Sequence, residues 1–146
     1  MNKKNPFGSR IGVTVKALVR KVNASFSKHD INLTVSQMVI LDLINKDEDL
    51  CQHSLSEMLN KDKSAVLRQI NCLEEKHYLI RIRDPEDKRR KKLVLTKPGL
   101  KTLKKALTVE NKLLETILGD VNEEDLAIFY NVLEQIYNNL QDYSIC

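Results

Sequence analysis

The stretch RIRDPEDKRRKKLVLT, Arg81 to Thr96, decides how this chain is read. Arg81-Ile82-Arg83 alternates charge and hydrophobe, as a half-buried strand does. Asp84-Pro85-Glu86-Asp87 is turn chemistry: proline presets φ, and aspartate side chains bond nearby backbone N–H groups. Lys88 to Lys92 is a run of five cations, and Leu93-Val94-Leu95 returns as a second strand. The whole is a two-stranded ribbon with a cationic tip. Five neighbouring cations repel one another, so folding alone does not favour them. A polyanion against the ribbon relieves the repulsion and releases counterions.

Working outward, the net charge of +4 conceals an alternation. Residues 76–97 carry nine Lys/Arg against three Asp/Glu, and residues 1–30 carry seven against one. Residues 31–75 and 98–146 each carry four against eight. The ribbon therefore has a local positive field that the total hides. With 146 residues, 42% apolar residues, no Trp and four Gly, the chain suits one domain or a tightly joined pair, mainly helical rather than all-β. No apolar run approaches the roughly 20 residues needed to cross a bilayer. The N-terminal MNKKNPFGSR lacks the apolar core of a signal peptide, so a cytoplasmic protein with no membrane partner is expected.

Immediately before the ribbon, two short helices are expected. One spans about Gln52 to Leu59, with Leu55, Met58 and Leu59 inside. After the turn at Asn60-Lys61, a second runs from its cap Asp62 to about Lys76. Val66, Ile70 and Leu73 form its inner stripe, and Ser64, Leu67, Arg68, Asn71 and Glu75 lie outside. Two helices joined this way make a helix-turn-helix. Upstream, Thr34-Val35-Ser36-Gln37 fits a capping box before the apolar run Met38–Ile44, and Asn45 to Leu50 is an acidic loop. Ile11, Val15, Leu18, Val22 and Phe26 mark one face of a long first helix that ends near His29-Asp30. Downstream, Thr96 caps a helix with Pro98 in its first turn, ending at Leu118 with Gly119 at C′. A last helix spans about Glu123 to Gln141. Its Leu126, Phe129, Leu133, Ile136 and Leu140 repeat at a seven-residue spacing.

Helix, turn, helix and basic wing, flanked by long helices, resemble the MarR family of winged helix-turn-helix regulators. LSEMLNKDKSAVLRQINCLEEK, Leu55 to Lys76, is similar to the family's second and third winged-domain helices. RDPEDKRRKKLVLTKPG, Arg83 to Gly99, is similar to its wing signature, with Asp84-Pro85, Asp87-Lys88-Arg89, Leu95-Thr96 and Gly99 in register. The resemblance implies a mainly α fold with six helices and a two- or three-stranded β-wing. Residues 31–97 would be the DNA-binding lobe, and residues 9–30 and 98–146 the dimerisation helices. It also implies a homodimer on a pseudo-palindromic operator of double-stranded DNA, acting by repression at a promoter.

Candidate DNA contacts follow. Lys63 and Ser64, at the positive end of their helix with the free N–H groups of its first turn, are assigned to phosphates or base edges. Arg68 is assigned to a phosphate or guanine. Ala65 and Leu67 stand where the family often carries hydroxyl residues, and Leu67 suits a thymine methyl. On the wing, Lys88, Arg90 and Lys91 track the backbone. The resemblance implies that Arg89 enters the minor groove and that Asp87 orients it, while a guanidinium independently suits a narrow A·T-rich groove. Asp87 as a plain turn cap stays open. Ile11 and Val15, with Leu126, Phe129, Leu133, Ile136 and Leu140, are the candidate dimer interface. The resemblance also implies a small-molecule effector pocket, with Arg10, Val13, Ala17 and Met38 as candidate walls. His77 stands where the family usually ends this helix with Gly, which predicts a left-handed histidine.

Cys51, Cys72 and Cys146 form neither CxxC pairs nor a Cys/His cluster, so no metal, cofactor or disulfide framework is expected. Cys51 near a helix start suits a lowered thiol pKa, and redox sensing by Cys51 or Cys72 is a minor reading. No nucleophile motif or phosphate loop appears, so an enzyme is not expected. The alternatives to operator binding are a winged-helix protein-interaction module and an RNA-binding module.

Overall fold

The structure is a computed structural model that describes residues 6–142. Cys146 and the first five residues of the N-terminal reading lie outside that range. The elements run α1 (Phe7–Lys28), α2 (Val35–Lys46), α3 (Gln52–Met58), α4 (Lys63–Glu75), β1 (Leu79–Arg83), β2 (Lys91–Leu95), α5 (Lys97–Leu118) and α6 (Glu123–Asp142). The chain forms two compact units that divide after Leu113, within α5.

The first unit holds the core. α1 contributes Val22 and Phe26, α2 contributes Met38, Leu41 and Ile44, and α4 contributes Val66, Ile70 and Leu73. Leu55 of α3, Leu79 and Leu93 of the ribbon, and Leu103 of α5 complete it. Phe26 is wholly buried, and truncating such a residue to Ala costs about 3–5 kcal/mol. Met58, expected inside, is 57% exposed, because α3 ends there and only Leu55 and Ser56 of this helix are buried.

Local chemistry sets the helix ends. The capping box at α2 forms in full: the Thr34 hydroxyl accepts from Gln37 N–H, and the Gln37 side chain accepts from Thr34 N–H. Gln37 then accepts from Lys76 Nζ at 3.0 Å, which ties α2 to the end of α4. Among the described residues, three helices close on left-handed residues that are not glycine: Asp30 (φ 54°), Asn60 (φ 46°) and His77 (φ 59°). Each adopts the same paired backbone closure. After α4, His77 N–H donates to Glu74 O and Tyr78 N–H to Leu73 O. Gly119 does the reverse of what its position suggested. It has no positive φ, so α5 ends at Leu118 without a left-handed glycine.

β1 and β2 pair antiparallel, with Arg81 opposite Leu93 and Ile82 opposite Lys92. Leu50 and Cys51 add a short third rung: Leu93 N–H donates to Leu50 O, and Cys51 bridges Lys92. The expected alternation in β1 is inverted. Ile82 is 41% exposed, whereas the Arg81 side chain is 17% exposed. The register places Arg81 on the face of buried Leu79 and Leu93, and Ile80 and Ile82 on the other.

Gly99 is dictated by a close approach. A Cβ there would lie 1.9 Å from the Tyr78 carbonyl oxygen. That oxygen accepts from Thr96 N–H, while the Thr96 hydroxyl donates to His77 O at 2.6 Å and accepts from Gly99 N–H. Only a residue without a side chain lets α5 begin so near the end of α4.

In the second unit, α6 opens with Glu123, Glu124 and Asp125 in its first turn, which suits the positive helix end. The Asn122 carboxamide oxygen accepts from Glu124 N–H. Of the expected stripe, Leu126, Leu133 and Ile136 are half-buried, while Phe129 and Leu140 are exposed at 53% and 65%. Ile128, Tyr130, Val132 and Tyr137 are exposed as well.

Candidate nucleic-acid interface

α4 begins on Asp62, whose carboxylate accepts from Ser64 N–H at 3.0 Å and Ala65 N–H at 3.2 Å. This corrects the expectation of free first-turn N–H groups. Two of them are already satisfied, and the Asp62 charge opposes the helix dipole locally. Anion attraction at this end therefore falls to side chains. Ser64, Leu67 and Arg68 point outward from α4, and Ala65 is half-buried.

Lys63 stands across an open cleft from the wing. The cleft, about 660 Å³, is lined on the helix side by Lys63, Ser54 and Cys51, and on the wing side by Asp87, Arg89, Arg90 and Lys91. Five of the candidate DNA-contact residues thus meet at one cavity. Lys88 is exposed at the tip. The tip turn is held by two aspartates: Asp84 accepts from Glu86 N–H at 2.9 Å, and Asp87 accepts from Arg89 N–H at 3.0 Å. Asp87 therefore fixes the Arg89 backbone.

The five-cation run is not one free patch. β2 starts at Lys91, so strand alternation sends neighbouring cations to opposite faces. Lys92 Nζ reaches Asp49 at 2.5 Å and Asp84 at 3.9 Å. The Arg90 guanidinium donates to the Asp49 carbonyl at 3.1 Å. The Asp49 hydrogen bond chiefly raises the Lys92 pKa. The Glu86 N–H chiefly lowers that of Asp84, with help from the Lys92 and Arg90 charges. The acidic loop before α3 thus neutralises the base of the wing. That loop was visible in the sequence, but its pairing with the wing was not, since Arg90 stands 41 residues and Lys92 43 residues beyond Asp49.

Cys51 also lies at this junction. Burial pushes its thiol up, but the Ser54 hydroxyl and N–H, the Arg90 guanidinium and the His53 N–H outweigh it and lower the pKa from 9.0 to about 7. The Ser54 hydroxyl lies 3.1 Å from the Cys51 sulfur.

Two of the four candidate effector residues share one depression. Arg10 and Val13 line a shallow 320 Å³ depression on α1 with Ser9 and Thr14. Ala17 is exposed on the same helix, but Met38 is 4% exposed within the core and is no wall of that depression. Among the described residues, no group of three or more His, Cys, Asp or Glu is placed to hold a metal.

A short helix, a turn and an outward-facing helix, followed directly by a basic two-stranded ribbon, define a winged helix-turn-helix protein. Residues 33–91 match the MarR family model. Over that segment the chain is similar to the MarR family. It is 25% identical over 132 residues to the HTH-type transcriptional regulator SarZ of Staphylococcus haemolyticus, covering 90% of this chain and 87% of that protein. It is 27% identical over 139 residues to the HTH-type transcriptional regulator TcaR of Staphylococcus aureus, covering 89% and 91%. Among solved structures, the fold matches a mutant of E. coli MarR complexed with operator DNA at a TM-score of 0.83 and 21% identity, covering 92% of this chain and 96% of that one. A MarR protein from Peptoclostridium difficile matches at 0.83 and 20% identity, covering 97% and 91%. No helix among the described residues is long and apolar enough to cross a membrane.

Proposed function

We propose that this protein is a double-stranded DNA-binding transcriptional regulator that works as a homodimer in the cytoplasm and has no enzymatic activity. The observation that carries the reading is the cleft where Lys63 at the start of α4 faces Arg89 and Lys91 of the wing. A groove with cations on both walls suits a phosphate backbone passing between them. α4 then reads the major groove through Lys63, Ser64, Leu67 and Arg68, with Ala65 beside them, and the wing tip carries Lys88 and Arg89 to the minor groove. The names of the relatives and the operator complex of the E. coli protein support the same reading.

The dimer would join α1, through Ile11 and Val15, and the helices after residue 98, through the α6 stripe. Leaving the apolar side chains of α6 in water favours a partner. A two-fold dimer presents two α4 helices to half-sites one turn of duplex apart. Residues 31–97 would be the DNA-binding lobe, and the helices at 9–30 and 98–146 would set the spacing. A small-molecule effector that binds one spacing better than the other would shift occupancy, and repression by occupying a promoter is the mode the family resemblance implies.

The test is fluorescence anisotropy with a duplex that the protein selects from a random-sequence pool. Sedimentation of the complex accompanies it, and an A-form RNA duplex serves as competitor. Binding of one dimer per inverted repeat, weakening steeply with salt, is expected. A monomer that ignores duplex DNA at low salt overturns the reading, and effective competition by the RNA duplex replaces it with RNA binding.

A further inference from the structure

The reading of α4 as a recognition helix leaves one half-buried cation of the ribbon unassigned. Arg81 is the middle residue of β1. Its side chain is 17% exposed, which a lone charge does not tolerate without partners. Its guanidinium donates through Nη1 to the Glu74 carboxylate and through Nη2 to the Asn71 side-chain oxygen. Asn71 and Glu74 lie about one turn apart on α4. A 260 Å³ cavity between helix and ribbon is lined by Leu67 and Asn71 of α4 and by Arg81, Lys91 and Leu93 of the ribbon. Arg81 thus crosses that gap and grips the outward side of α4 at two points. A guanidinium offers a rigid planar fork of donors, which a lysine ammonium does not.

We propose that Arg81 is a positioning residue that fixes the angle between the recognition helix and the wing, and so sets preference for the operator over other DNA. The proposal rests on the DNA-binding reading above and deepens it. Arg81 itself touches no DNA in this scheme. It also occupies the Asn71 oxygen, on the same outward side of α4 as Leu67 and Arg68. Amide side chains there are adenine readers, so the tie removes Asn71 from readout and confines base contact to the first two turns. If the angle is lost, each half of the lobe still attracts phosphates, but helix and wing no longer reach their grooves together.

The experiment compares wild type, Arg81→Met, Arg81→Lys and Glu74→Gln on the selected duplex and on a scrambled duplex of equal length, across a salt series. Thermal unfolding of each variant accompanies it. For Arg81→Met, affinity for the selected duplex should fall about tenfold, while scrambled-duplex affinity changes less than about twofold. The salt slope should not change, because no phosphate contact is lost. Arg81→Lys should recover only part of the loss, and Glu74→Gln, which keeps an acceptor, should lose less than Arg81→Met. An equal fall on both duplexes indicates lost folded protein and overturns the proposal. So does a shallower salt slope, which marks Arg81 as a phosphate contact, or an unchanged selected-duplex affinity. Wild-type protein that binds neither duplex overturns the DNA-binding reading and the proposal together, so the two failures are told apart by the wild-type arm.

Discussion

The root and the tip of the wing carry the same residue types and do opposite things with them. At the root, Lys92 is neutralised by Asp49, Arg90 is bonded to the Asp49 carbonyl, and Thr96 ties β2 back to His77 and Tyr78. At the tip, Lys88 and Arg89 are exposed, and the backbone beneath Arg89 is fixed by Asp87. A run of cations in a sequence is therefore not one electrostatic object. Strand pleat and a distant acidic loop divide it into charges that hold the wing and charges left for a polyanion.

The comparison breaks most easily at the root. Gly99→Ala places a methyl group 1.9 Å from the Tyr78 carbonyl oxygen, a backbone atom that cannot swing away. The expected loss is about 3 kcal/mol in chemical denaturation, the upper end for overpacking. Unfolding at the wild-type midpoint would show that the close approach is not what fixes the root. At the tip the effect moves from stability to binding. Arg89→Ala should cost about 2 kcal/mol, or roughly thirtyfold, in operator affinity, with stability unchanged within about 0.5 kcal/mol. Arg90→Ala, by contrast, should disturb the root contact with Asp49 and move the melting temperature. If Arg89→Ala and Arg90→Ala behave alike in both measurements, the division between root and tip is wrong.

A smaller change strengthens the root. His77 holds φ at 59°, a conformation that costs an L-residue with a Cβ about 1–2 kcal/mol and glycine little. His77→Gly should therefore raise stability by roughly 1 kcal/mol, after allowing for the greater freedom of glycine in the unfolded chain. The closing bonds to Glu74 O and Thr96 use only the backbone of His77, so the substitution leaves them in place. A lower melting temperature would mean that the imidazole itself contributes.

Much of this was legible in the sequence because it is local. The Thr34–Gln37 box, the Asp62 cap, the Val66–Ile70–Leu73 stripe and the aspartates of the wing turn involve partners within four residues. Period and capping chemistry are enough for those. What escaped depends on long-range placement. Arg81 reads as the solvent face of a strand until α4 supplies Asn71 and Glu74, and Ile82 reads as buried for the same reason. Lys92 reads as one more cation of the run until Asp49 arrives from 43 residues away. Gly119 reads as a left-handed cap, yet the chain uses Asp30, Asn60 and His77 for that purpose instead. Backbone closure, not residue type alone, decides where positive φ falls.

The smallest expected effect tests whether the root is electrostatic at all. The Asp84 carboxyl is held below the usual carboxylate range, chiefly by the Glu86 N–H and then, against the cost of burial, by Lys92 and the other root charges. A carboxyl whose folded pKa is depressed contributes stability above its unfolded value of about 3.9, and that contribution fades as pH falls through the folded pKa. Asp84→Asn keeps an oxygen for the Glu86 N–H but removes the charge facing Lys92. The variant should be slightly less stable than wild type near about pH 7, and the gap should close as the buffer is acidified below about pH 4. Urea unfolding at both pH values measures it. A gap of constant size would assign the Asp84 contribution to shape and hydrogen bonding, leaving Asp49 as the acid that separates the root of the wing from its tip.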